Sequence, residues 1–138
     1  MDATEYLGRV RILEERVREK QAQRNEIRSM IKDIQSTPFD GCADDSQSKS
    51  RITDAVTRLE KVEENCAEAI AEYCEEKSRI IETIHRINDS NLETILFKHY
   101  VELKSFEEIA LETDSSYNQI KRLRPAAVKA FERVLMAS

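Results

Sequence analysis

Tyr117, Asn118, Gln119, Lys121 and Arg122 fall within six positions and carry the groups that can read a nucleic-acid duplex. Asn and Gln match the donor and acceptor pair on an adenine edge, and Arg matches the two acceptors of guanine. Lys suits a phosphate, and Tyr can contact a thymine methyl or a phosphate. Around them, Ser115, Ser116, Arg124 and Lys129 are candidates for holding phosphates, helped by the partial positive charge of a helix amino end. This chemistry requires one rigid element that turns the readers outward and a second element that braces it.

The stretch from Ser105 to Arg124, SFEEIALETDSSYNQIKRLR, supplies both as two short helices joined by a tight turn. Ser105 is followed three residues later by Glu108, and Ser116 three residues later by Gln119, so each helix opens with a capping box that satisfies unpaired amides. Phe106, Ile109 and Ala110 make the inner face of the first helix, and Ile120 and Leu123 that of the second. Asp114, four residues after Ala110, stands where the backbone must visit positive φ, a position that glycine fills best and Asp tolerates. Small Ala110 allows the two helices to cross closely.

On these residues the run LETILFKHYVELKSFEEIALETDSSYNQIKRL, Leu92 to Leu123, resembles region 4 of bacterial sigma factors. The layout of the whole chain is similar to small phage and prophage regulators of the ArpU-like and RinA-like kind, which place a coiled coil ahead of a sigma-like helix-turn-helix. Glu108-Ile109-Ala110, Ser116, and Ile120 with Arg122 carry the resemblance; Thr113, Asp114 and Ser115 depart from the family's usual apolar residue, glycine and apolar residue. The resemblance implies double-stranded DNA as partner in the cytoplasm of a bacterial host, with the N-terminal hairpin serving either for dimer pairing or as a surface for RNA polymerase.

The distribution of charge agrees with a localised interface. The chain carries −5 overall, but residues 115–138 hold five basic side chains against Glu132, a net +4, which leaves −9 on the rest. A basic end on an acidic body suits one phosphate-binding face and argues against binding by the whole surface.

The remaining residues read as helices that carry this unit. Only two Gly and two Pro among 138 residues, with 36% charged, point to an all-α fold with long helices. Ala3, Tyr6, Val10, Leu13, Val17, Ile27, Ile31 and Ile34 fall on alternating three and four spacings, interrupted by Lys20 and Arg24. That pattern describes a heptad helix of about 33 residues, about 50 Å long, which Gly8 weakens slightly. The segment 36–50, with Pro38, Asp40-Gly41 and several Ser, reads as a connector. Ile52, Val56, Leu59, Cys66, Ile70, Tyr73, Ile80, Ile84 and Ile87 then continue the spacing. Folding the two runs back on one another pairs Ile34 with Ile52 and predicts that Arg24 meets Glu63. The seam closes within one chain or, as a homodimer, between two.

Ser90 with Glu93 marks a fresh helix start after Asn88-Asp89, and Leu92, Ile95, Leu96 and Tyr100 supply its buried side, with Leu103 and Phe106 closing the lower edge. The expected division is therefore a coiled-coil hairpin over residues 1–89 and a three-helix helix-turn-helix module over residues 90–138. Beyond Arg124, Ala127, Phe131 and Leu135 extend the Ile120 and Leu123 face, while Pro125 predicts a kink or a new start.

No apolar run suggests a secretory signal or a membrane span. Cys42, Cys66 and Cys74 lack metal or redox spacing and read as reduced thiols; Cys66 and Cys74 would lie about 12 Å apart along one helix, beyond disulfide reach. His85 and His99 belong to no ligand cluster, and nucleotide-loop, zinc-protease and hydrolase motifs are missing. No cofactor, metal or catalytic residue is expected. Two other functions remain open: a coiled-coil interaction protein that binds RNA polymerase or another protein, and a DNA-binding protein associated with phage packaging.

Overall fold

The computed structural model describes residues 2–36 and 45–137. They form five α-helices and no strand: α1 (Ala3–Ser36), α2 (Asp45–His85), α3 (Ser90–Leu96), α4 (Phe106–Thr113) and α5 (Tyr117–Ala137), with a π-helical segment, Phe97–Val101, continuing α3. The fold is all-α, a long antiparallel helical hairpin followed by shorter helices. Phe39, Cys42 and most of the expected connector lie outside the described residues. The second long helix begins at Asp45, six positions before the expected start at Arg51.

Contacts divide the chain into two compact units, residues 1–14 with 73–138, and residues 15–72. This grouping differs from a division at residues 89 and 90, because both ends of the hairpin share a core with the C-terminal helices. Ala3, Leu7 and Val10 of α1 pack with Ile80 and Ile84 of α2 and with Leu96, Tyr100, Val101, Ala127 and Phe131. Leu7 is fully buried, whereas Tyr6, the residue expected on the seam, is half-buried against the Phe131 ring at 6.0 Å. Burial of aromatic area of this kind adds to the stability of a small unit. Across the same unit Arg9 pairs with Glu76 at 3.5 Å, showing the antiparallel run of α1 and α2.

In the unit of residues 15–72, Val17, Cys66 and Ala69 are buried. Ala69 takes the inward place expected of Ile70, which remains 37% exposed, and Val56 is likewise exposed at 39%. Arg28 meets Glu63 at 2.7 Å, and Arg16 meets Glu72 at 3.6 Å. The expected partner Arg24 instead donates to its neighbour Asn25 at 3.4 Å. The pairing has a geometric cause. Helical side chains lean toward the amino end, so Arg28 reaches back and Glu63 leans toward the hairpin tip, and they meet one turn away from a Cα-level pairing. Both groups are about half exposed, so the pair is worth below about 1 kcal/mol. Cys66 is buried and Cys74 exposed, and neither forms a disulfide.

The start of α3 also differs from expectation. Asp89, not Ser90, is its cap: the carboxylate accepts from the Asn91 and Leu92 amides at 3.1 and 3.3 Å. Asn88, at φ 61°, makes the reversal between α2 and α3.

Candidate nucleic-acid interface

A second apolar cluster braces the helix that carries the proposed readers. Ile95 of α3, Ile109 and Ala110 of α4, and Ile120 of α5 are buried together, with Phe106 and Leu123 packed against them. Ile109 has no exposed surface, and Ala110 leaves room for α5 to pass close to α4. Leu103, expected at the lower edge of this core, is absent from the cluster and adopts φ 58° in the turn before α4.

At both helix starts the serine half of the expected capping box forms. The Ser105 hydroxyl accepts from the Glu108 amide at 3.2 Å, and the Ser116 hydroxyl accepts from the Gln119 amide at 3.1 Å. Between them Asp114 sits at φ 57° and ψ 36°, the left-handed conformation that reverses the chain. Its amide and that of Ser115 both donate to the Ala110 carbonyl, which closes the end of α4. Asp114→Gly is expected to raise unfolding free energy by up to about 1 kcal/mol, and Asp114→Val to lower it by more, as read by urea denaturation. Lys104 fixes the other flank, reaching Glu112 at 2.6 Å and Glu102 at 2.9 Å.

The side chains of Tyr117, Asn118, Gln119, Lys121 and Arg122 are all exposed on the first turns of α5. Tyr117 is supported from behind by the edge of Phe106 at 6.3 Å, and the Lys121 ammonium lies 6.0 Å from its ring centre. α5 runs unbroken through Pro125 to Ala137, so of the kink or new start expected at that proline, the new start does not occur. Asn118, Arg122, Lys129 and Arg133 therefore share one face opposite Ile120, Ala127 and Phe131, a ridge about 22 Å long. Among the phosphate candidates, Ser116 and Lys129 are exposed and Ser115 is half-buried. Arg124 is different: it is half-buried, and its Nε–H donates to the Tyr100 hydroxyl at 3.1 Å, tethering α5 to the π-helical segment.

That segment holds groups to which the sequence assigned no role. The His99 ring stacks on Phe106 at 4.4 Å, and its Nδ1 lies 2.9 Å from the Lys104 carbonyl, so Nδ1 carries the proton and donates. Burial holds the His99 pKa below its ordinary value, aided by the Arg124 and Arg11 guanidiniums and opposed by the bond to Lys104. The unfolded chain therefore takes the proton first as pH falls. The stabilisation is complete above about pH 6.5 and is lost as pH drops through the folded value. Urea midpoints are expected to fall on acidification from about pH 7.5 to 5.5, with a shallower fall in His99→Phe.

No protein-family model, curated protein or solved structure matches this chain.

Proposed function

We propose that the chain is a sequence-specific DNA-binding transcriptional regulator of phage or prophage origin, built on a sigma-like helix-turn-helix. The observation that carries this reading is the arrangement of Asn118, Lys121 and Arg122. Three groups able to contact base edges or phosphate stand exposed within two turns of a helix fixed by a capped, left-handed turn and an apolar core. In this reading α5 enters the major groove, Tyr117, Asn118, Gln119 and Arg122 face base edges, and Lys121, Ser116 and Lys129 contact phosphates. The long hairpin serves for pairing with a second copy or for contact with RNA polymerase.

The test is to select bound fragments from the source genome with the full chain and then titrate salt against the enriched sequence. A discrete set of fragments is expected, with log affinity falling linearly in log salt. Recovery of fragments in proportion to their abundance in the input would overturn the reading.

A further inference from the structure

A cavity of about 260 Å³ lies within the unit formed by residues 1–14 and 73–138, between the first turns of α1 and the end of the π-helical segment. Leu7, Gly8 and Arg11 line one side, and His99, Tyr100 and Leu103 the other. Four features mark it. A Cβ added at Gly8 would have nothing within 4 Å, so the missing side chain is part of the space. Leu103 holds positive φ, which is costly for a bulky residue, and the π-helical widening beside it is a rare backbone form that often borders functional sites. Arg11 forms no ion pair among the described residues, whereas Arg9 and Arg16 on the same helix both do.

We infer that this cavity binds a small monocarboxylate with an aromatic or apolar body. The Arg11 guanidinium offers a planar fork for the carboxylate, and the nearby Arg124 guanidinium adds positive potential. Leu7, Leu103 and the Tyr100 ring supply apolar wall for the body. The volume lies just below the usual range for ligand pockets, which limits the ligand to a single ring or a short chain. With Nδ1 of His99 committed to Lys104, Nε2 is left as a proton acceptor in neutral imidazole. The site is also mechanically linked to α5: His99 stacks on Phe106, which touches Tyr117, and Tyr100 holds Arg124. The inference does not depend on DNA binding, and its test contains no DNA.

Benzoate serves as the probe, titrated into the full chain at constant ionic strength, with NMR of the His99 and Tyr117 ring protons as the readout. Saturable shifts at both rings are expected, together with a rise in the His99 titration midpoint as the bound anion favours the imidazolium. Arg11→Ala is expected to weaken binding about tenfold or more. Gly8→Leu grows a side chain into the open space while favouring the helix, so it is expected to abolish binding in a protein that remains folded. Linear, unsaturable shifts, an equal response to inorganic phosphate, or unchanged affinity in both variants would each overturn the inference.

Discussion

Replacing Asn118, Lys121 and Arg122 together with alanine is expected to lower affinity for the selected DNA by about a hundredfold or more while leaving the fold unchanged. All three side chains are exposed and none belongs to either apolar cluster, so their removal costs little folding energy. The single variants should differ in kind. Arg122→Ala removes a fork suited to guanine and should cost about 1–3 kcal/mol, relaxing the preference at one base position. Lys121→Ala should weaken all sequences alike and reduce the salt slope by about one unit. Gel-shift or anisotropy titrations at several salt concentrations separate the two behaviours, and circular dichroism checks the fold. Unchanged affinity in the triple variant would leave the hairpin as the functional surface and favour an interaction protein.

The parts of this interface that the sequence made legible are those decided within a few residues. Ser105 and Ser116 cap the amides three positions ahead, and Asp114 adopts positive φ four positions after Ala110, because each outcome depends on local backbone chemistry. The outward set on α5 follows from helical period once Ile120 and Leu123 are assigned inward. Longer-range outcomes were less accessible. A stripe of apolar residues shows that a face is buried without naming its partner, so Ala69 could replace Ile70 and Leu7 could outrank Tyr6 unannounced. The pairing of Arg28 with Glu63 depends on side-chain lean across two helices, which spacing along one helix does not encode.

The π-helical segment Phe97–Val101 shows the same limit. One widened turn changes which residues of FKHYV point inward, and no sequence rule marks it. Tyr100 here meets Arg124 and His99 stacks on Phe106, so a residue expected to hold phosphate gains a tether and a histidine with no assigned role packs against α4. Proline gave the opposite outcome. Pro125 is exposed, so the carbonyl it leaves without an intrahelical partner sits where solvent can satisfy it, and α5 continues.

A fragment restricted to residues 90–138 is expected to fail to fold, and Phe131→Ala in the full chain is expected to cost about 3–5 kcal/mol. Both follow from where the larger core lies. Phe131 and Leu96 have no exposed surface, and their cluster is completed by Ala3, Leu7 and Val10 from one end of the chain and by Ile80 and Ile84 before α3. Cutting at residue 90 removes all five and opens the Phe131 and Leu96 sites to water. The cluster left behind has only Ile95, Ile109, Ala110 and Ile120 buried, too small a core to offset the ordering of about fifty residues. Urea denaturation of the full chain gives the cost of Phe131→Ala, and circular dichroism with proton NMR reports the fragment. A fragment with dispersed methyl resonances and a cooperative melt would show that residues 90–138 fold alone, and the division at residues 89 and 90 would then be the correct one. The unfolded outcome would mean instead that the ends of α1 and α2 are part of the element that holds α5, and that Leu7→Ala should loosen α5 from the opposite end of the sequence.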